Sequence, residues 1–411
     1  MMVWAASIWV MGFANEVGSR FVAWLDVLPK GKASRVYIVC DFDGDGLPAG
    51  ALLLRSLREA GYSHVDGECR RKGESAWGEE IGARLRDRVA SEGVDALIVA
   101  DLGSRDGVIL RSLDGEIVPL LLIDHHRPIG QPEGSTLITA YGTGDEAGDG
   151  KDVATSGLLC WWCARALVGE ARAAEWLWLA GISIQSDLGD KAPFAELKEA
   201  KAKFGGGALR DATSLLNAPR RTNLGRADAA LALLLKASGP KDVMSGVYPE
   251  TAELQRAKLE VGEALATARK QPPRFSKAMR EELGADLVAI RMHTGCQLHP
   301  LVAQQWRGRF AKSVVLGVNT GYRPGWVTFS GRAPAGVNLI DFLARHRPPE
   351  ADNSYGLGHN QASGGALPVK VWNRWIQEIG FGPEMVVEEA EAAEASPVAG
   401  DRVTDLAEVG E

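Results

Sequence analysis

Cysteine is scarce, with five thiols at Cys40, Cys69, Cys160, Cys163 and Cys296. The pair in LLCWWCARAL has no second CxxC to complete a zinc tetrad, so a disulfide framework and a structural zinc are both excluded. The thiols are expected to be buried and to behave as small apolar side chains. A basic start is missing too, because no Lys or Arg precedes Arg20. The apolar residues 1–14 therefore lack the positive region of an export signal, and they are too short to span a membrane. A cytoplasmic chain with no membrane partner is expected. Met11 offers an alternative start, since residues 15–28 already make an amphipathic helix.

Net charge is -7, but the body lacks an acidic excess. Residues 384–411 hold nine Asp or Glu against the single Arg402, which leaves the rest of the chain at +1. That tail has no aromatic residue and reads as a disordered solubilising segment. The body concentrates cations in RKQPPR, NAPRRTNLGR and QQWRGRFAK, a pattern compatible with a polyanionic partner. With 411 residues, 45% hydrophobic and 24% charged, the chain has the composition of a globular enzyme of roughly two or three domains.

What the sequence does hold is a series of acid and imidazole clusters, each placed after an apolar stretch. They are Asp41, Asp43 and Asp45 in CDFDGDG, Asp101 in IVADLGS, Asp124, His125 and His126 in LLIDHHRP, and Asp187 with Asp190 in IQSDLGD. Carboxylates and imidazoles are donors that ions such as Mn²⁺ accept, and a shared carboxylate lets two ions sit about 3.5 to 4 Å apart. This reads as a hydrolytic dinuclear metal site. DxDxDG alone would also suit a calcium loop, but its twelfth position is Leu52 rather than Glu, and it follows a strand of buried type.

RVYIVC, VDALIVA and IVPLLLI are short and nonalternating, as strands buried on both faces of a parallel sheet are. Helices are expected after Pro48, over residues 79–92 and 154–168, and in WLWLAGISIQ. Three of the acidic clusters come directly after a strand, where open α/β sheets bind ligands. A further break at KASGPKDVMSGVYPE precedes a strong helix, and a second set of strands and helices follows. In VKVWNRWIQEIGF, residues Val371, Trp372, Trp375, Ile376 and Ile379 read as core.

DFDGDG, ADLGS, DHH and SDLGD in this order resemble the motifs of the DHH phosphoesterase superfamily, RecJ-like branch. NAPRRTNLGR, FSGRAP and GLGHNQASGG are similar to the connector and to two motifs of the associated DHHA1 domain. The resemblance implies an α/β architecture, with a parallel-sheet DHH domain joined by a long helix to a smaller α/β DHHA1-like domain. The bounds expected are 1–235 for the first domain with a helical lead-in over 1–34, then 236–275 for linker and connecting helix, 276–383 for the second domain, and 384–411 for the tail.

The resemblance also implies two divalent cations, Mn²⁺ foremost and Mg²⁺ as the alternative. Asp43 and Asp101 would hold one with Asp41 assisting, and Asp45, Asp101, His125 and Asp187 the other. Asp124 would orient a histidine, and His126 would lie near the phosphate or leaving oxygen. Asp190 and Asn217 would support from outside the ligand set. Arg221, Arg332, His359, Gly358 and Gly364 would contact substrate. Val39 stands where short pyrophosphatase-like relatives carry a His, so Asp41 makes up that ligand. Leu357 interrupts the usual paired glycines before His359.

The activity implied is hydrolysis of nucleic-acid phosphodiesters by a single-strand exonuclease acting on DNA or RNA. Alternatives are a phosphodiesterase of short oligonucleotides or cyclic dinucleotides, favoured by the absence of room for an OB-fold module after the second domain, and an inactive nucleic-acid-associated scaffold. Polarity and oligomeric state are not legible.

Overall fold

The computed structural model describes residues 2–74, 77, 79–105, 118–143, 153–351 and 355–393. The chain divides into two compact units, one of residues 1–220 and 226–258, the other of residues 221–225 and 259–411.

In the first unit, strands β1 (Arg35–Cys40), β2 (His64–Cys69), β3 (Ala96–Ala100), β4 (Leu120–Asp124) and β5 (Thr136–Thr139) form one sheet in the order β2-β1-β3-β4-β5. Every pairing in it is parallel. Successive side chains of a strand face opposite sides, and here both sides are covered. Val36, Ile38, Cys40, Ile98 and Ile123 enter the larger core. Tyr37, Val39, Leu97, Val99 and Leu122 enter a smaller one with Ile81 and Leu85. Two-sided burial is what makes these strands read as unbroken apolar runs. The sequence pattern does not reveal β2 or β5: β2 is an edge strand with a half-exposed pattern, and β5 is only four residues long.

The helices of this unit are α1 (Met2–Asp26), α2 (Gly46–Glu59), α3 (Glu79–Glu92), α4 (Ser156–Val168), α5 (Glu170–Glu175), α6 (Leu177–Asp187), α7 (Ala195–Phe204), α8 (Gly206–Leu216), α9 (Asp228–Lys236) and α10 (Pro240–Val243). Ala14, Val17, Phe21, Trp24, Leu25 and Leu28 are buried at helical spacing, so the lead-in helix belongs to the main core. Apolar α2, α4 and α6 also enter that core. Such helices keep their polar work for their ends, and two of those ends face the acidic clusters.

The unit boundary falls within α11 (Pro249–Ala268). The second unit has strands β6 (Arg274–Ser276), β7 (Leu287–Met292), β8 (Val314–Arg323), β9 (Trp326–Arg332), β10 (Leu357–His359) and β11 (Ala362–Pro368) in the order β10-β11-β9-β8-β7-β6. Only β7 and β8 pair in parallel. Its helices after α11 are α12 (Arg280–Leu283), α13 (His299–Arg309), α14 (Leu339–Arg345), α15 (Val369–Glu378) and α16 (Glu389–Ala393). Trp372, Trp375 and Ile376 of α15 are buried against Phe329 and Phe342.

The acidic tail begins later than residue 384. Met385, Val387 and Ala392 are fully buried, and Asn373 bonds both the amide and the carbonyl of Val387. Residues 394–411 lie outside the described residues. Trp372→Ala should destabilise the second unit by about 3–5 kcal/mol, the usual cost of emptying a large core site. Denaturant unfolding checks this; a loss below about 1 kcal/mol would show that α15 is not a core helix.

Candidate metal centre

The loop leaving β1 is set by two glycines. A Cβ at Gly46 would lie 2.6 Å from the Asp41 backbone, and one at Gly44 would lie 2.4 Å from both Asn217 Nδ2 and Ser186 Oγ. Only glycine lets the chain double back so tightly that three carboxylates point to one side. Asp43 Oδ1 accepts the amides of Asp45 and Gly46, and so caps the start of α2. Asp45 is the residue before that helix, yet its carboxylate accepts the first amides of α4 instead, from Ser156 at 2.9 Å and Gly157 at 2.7 Å. Ser183 of α6 bonds it as well. An acid held at the amino end of a helix meets the positive end of its dipole.

Asp101 follows β3 with φ 63° and is the only non-glycine residue with positive φ among the described residues. Such a backbone costs free energy and persists where the surroundings over-determine it, commonly at functional sites. Ser156 Oγ donates to Asp101 Oδ1 at 2.9 Å, so one helix start fixes both Asp45 and Asp101.

Asp124 ends β4. It accepts the amides of Gly103 and His126 at 2.6 Å and bonds His126 Nδ1 at 2.9 Å. The histidine it orients is therefore His126. His125 turns the other way: its Nε2 is buried with no hydrogen-bond partner, and it lies 3.7 Å from Asp45 Oδ2, 3.6 Å from Asp101 Oδ1 and 3.5 Å from Asp187 Oδ2. Asp187 comes from the last turn of α6.

Ligand atoms of Asp45, His125 and Asp187 lie within 4.8 Å of one another, as do those of Asp41, Asp43 and Asp101, and those of Asp101, His125 and His126. The first two sets correspond to the ions the sequence reading separates; Asp101 belongs to the second and lies 3.6 Å from His125 Nε2 of the first. Donors sharing one ion at bond lengths of about 2.1 Å stand about 3 to 3.5 Å apart. An imidazole nitrogen without a partner and facing three carboxylates at nearly that spacing fits a divalent cation in both geometry and donor chemistry.

Charge balance points the same way. Burial, then repulsion from Asp45 and Asp43, pushes Asp101 and Asp187 well above the usual carboxylate range. Burial raises Asp41 and Asp45 as well. Burial would also raise Asp43, but Arg220 and the two amides hold it below its ordinary value. Likewise His126 and the Gly103 amide hold Asp124 down against its burial. Burial lowers His125, keeping it neutral and able to act as a ligand. His126 is pushed up to about 9, its burial outweighed by the hydrogen bond and charge of Asp124.

Other assigned residues lie elsewhere. Asp190 pairs with Lys201 at 3.1 Å and Arg210 at 3.4 Å on the exposed side and accepts from Gln185. These surface partners replace the supporting role expected of it. Asn217 accepts from the Gly44 amide and donates to Ser186 Oγ, on the residue before Asp187. Arg221 groups with the second unit, where its carbonyl accepts the amide of Gln297. A guanidinium that lies near the carboxylates is that of Arg220, 3.7 Å from Asp43 Oδ2 and bonded to Asn217 Oδ1.

Arg332 bonds Gln304 Oε1 and its own strand's Gly331 carbonyl. Gly358 has φ 125°, and a Cβ there would lie 2.3 Å from the Ala362 carbonyl; one at Gly364 would lie 2.3 Å from the Phe329 carbonyl. Close strand packing accounts for both glycines. His359 pairs with Ala362, itself paired with Arg332; the side chain of His359 is outside the described atoms.

Sequence reasoning missed Arg70, Ser156, Ser183 and Arg220. Arg70, one residue past β2, pairs with Asp41 and lies over the Phe42 ring. Finding it required β2. ATSG at the head of the α4 run, with Thr155 capping through Leu158, was the available signal for Ser156.

A parallel α/β sheet with carboxylates and imidazoles gathered just past β1, β3 and β4 and at the end of α6 has the fold of the RecJ-like DHH phosphoesterases. Solved structures agree. One is exonuclease RecJ bound to manganese, with TM-score 0.59 and 21% identity over 93% of this chain and 94% of that one. Another is RecJ in complex with Mn²⁺ from Thermus thermophilus, with TM-score 0.60 and 19% identity over 93% of this chain and 55% of that one. A stretch of 96 residues is 34% identical to the single-stranded-DNA-specific exonuclease RecJ of Haemophilus influenzae, spanning 23% of this chain and 16% of that protein. No family model matches the chain.

Two outcomes test the centre without any activity. Gly46→Ala should destabilise the protein by about 1–3 kcal/mol, because the added methyl meets backbone that cannot yield; unchanged thermal unfolding contradicts the loop geometry. In metal-free protein, the pairing of His126 is complete below pH 6.5 and lost as pH rises through about 9. The ring is 55% exposed, so solvent holds its contribution to about 1 kcal/mol. Wild type should lose its stability advantage over His126→Gln across that window; an advantage that grows with pH contradicts the pair.

Proposed function

We propose that the chain is a phosphodiesterase dependent on two divalent cations, Mn²⁺ or Mg²⁺, acting on nucleic-acid single strands as an exonuclease. The observation that carries this is the bare His125 Nε2 facing Asp45, Asp101 and Asp187, with Asp101 shared with Asp41 and Asp43. Asp41, Asp43 and Asp101 would hold one ion, and Asp45, Asp101, His125 and Asp187 the other. Such a pair supplies an acidified water and neutralises charge at a phosphoryl centre.

The protein's own groups do the rest. Asp124 fixes the His126 ring through Nδ1 and keeps it protonated, so Nε2–H can pass its proton to the leaving oxygen as the phosphorus–oxygen bond breaks. Arg220 and Arg70 offset the negative charge of the loop. Asn217 ties that loop to the end of α6. In the second unit, Arg332 is the phosphate contact we favour. It is half-buried, burial lowers its pKa, and its partners are neutral oxygens.

End-labelled single strands of graded length with Mn²⁺ provide the test. Asp101→Ala should cut the rate by more than about 100-fold, beyond the 10–100-fold typical of a supporting residue. Asn217→Ala should weaken Mn²⁺ binding by about 10–100-fold in calorimetry. Turnover that survives Asp101→Ala rules out its bridging role, and cleavage confined to the shortest oligomers replaces the exonuclease reading with an oligonucleotide phosphodiesterase.

A further inference from the structure

Two of the basic segments found in the sequence, RKQPPR and QQWRGRFAK, have no part in the metal centre. In the second unit they meet. Arg269 Nε bonds Gln305 Oε1 at 2.9 Å, and Phe275 of β6 packs edge-on against Phe310 with ring centroids 5.5 Å apart. Phe310 in turn stacks on Trp306, at 5.8 Å and 5° between planes, and the Arg309 guanidinium lies 4.8 Å from the Trp306 ring. The ladder grades outward: Trp306 is buried, Phe310 half-buried, and Phe275 is 56% exposed.

The segments that carry these rings also carry Arg269, Lys270, Arg307, Arg309 and Lys312, none of which has a carboxylate within ion-pair distance among the described residues. Their polar contacts are neutral. Arg307 reaches the Phe310 carbonyl at 3.3 Å. Favourable placement at helix ends accounts for a cation at Arg307 or Arg309 on α13 and at Arg269 or Lys270 just past α11, but not for Lys312, nor for an open phenylalanine on a three-residue edge strand. Arg274 precedes Phe275 and so faces the other side of the sheet.

We propose that this face is a stacking platform for single-stranded nucleic acid. A base lies on the exposed Phe275 ring, and neighbouring phosphates are met by Arg269, Lys270, Arg309 and Lys312. Aromatic rings interleaved with unpaired cations are the composition that grips single strands with little sequence preference. A second copy of this chain is disfavoured as occupant, because a two-fold contact would set the same cations against one another. An acidic peptide would answer the charge but leave the ring without a stacking partner. The choice of polymer rests on the reading of the chain as a nuclease; the platform itself does not.

The test uses the full chain in chelator, where cleavage is suppressed, with fluorescence anisotropy of a labelled oligothymidylate longer than one site of roughly 4–16 nucleotides. Phe275→Ala should weaken binding roughly 5- to 100-fold, the range for loss of one stacked base, while Phe275→Tyr restores it. Arg309→Ala with Lys312→Ala should flatten the dependence of log K on log salt by about 0.7 for each phosphate no longer neutralised. Circular dichroism confirms folding. Unchanged affinity in Phe275→Ala, with binding that falls only when the cations are removed, overturns the platform in favour of a general polyanion surface. Self-association lost on Phe275→Ala with no change in oligonucleotide affinity overturns it in favour of an interface between copies. Binding that follows these variants in a chain that cleaves nothing with Mn²⁺ refutes the nuclease reading and leaves the platform standing.

Discussion

Mutual repulsion among crowded carboxylates, of which Asp45 and Asp101 are buried, is the constraint on which the first unit is built. Asp45, Asp101 and Asp187 face a single imidazole nitrogen, and Asp41 and Asp43 stand beside them. Several like charges this close, two of them out of contact with solvent, resist joint ionisation unless something positive lies among them. The fold meets the demand in stages. Helix amides hold Asp45, backbone amides hold Asp43, and Arg70 and Arg220 approach from the rim. None of these reaches the middle, where His125 Nε2 has no partner. That remainder is a place for cations.

The same constraint explains features that otherwise look unrelated. Asp101 keeps a left-handed backbone at the point where its carboxylate must serve both donor sets. Gly44 and Gly46 are required because the loop must bend inside the space of Asn217, Ser186 and Asp41. Gly157 packs 2.6 Å from Ser183 Cβ and 3.0 Å from Asp45 Oδ1, measured from the Cβ it lacks. Polar atoms of α4 and α6 are thereby brought within hydrogen-bond reach of one carboxylate, inside a core that is apolar elsewhere. Each device serves to hold oxygen atoms at a fixed spacing before any ligand arrives.

Much of this was legible in the sequence, and for a physical reason. Strands buried on both faces are written as unbroken Val, Ile and Leu runs, so β1, β3 and β4 and the acids after them stand out. The same holds for α15, whose buried Trp372, Trp375 and Ile376 keep helical spacing. What escaped were edge elements. HVDGEC is half exposed and interrupted by Gly67, which packs against the Ile38 carbonyl, so β2 and with it Arg70 had no apolar signature. Arg220, in the turn at Pro219–Arg221, had no apolar pattern around it to mark it as the neighbour of Asp43. Asp190 was drawn in by proximity to Asp187, but three residues past a helix end sufficed to place it on the surface with Lys201 and Arg210.

The central claim is that one aspartate joins two cation sites. Electron paramagnetic resonance of the chain loaded with Mn²⁺ tests it most directly. The account predicts an exchange-coupled spectrum from a pair of ions that reverts to the isolated-ion pattern in Asp101→Ala. A wild-type spectrum showing only isolated ions at saturating Mn²⁺ would contradict it.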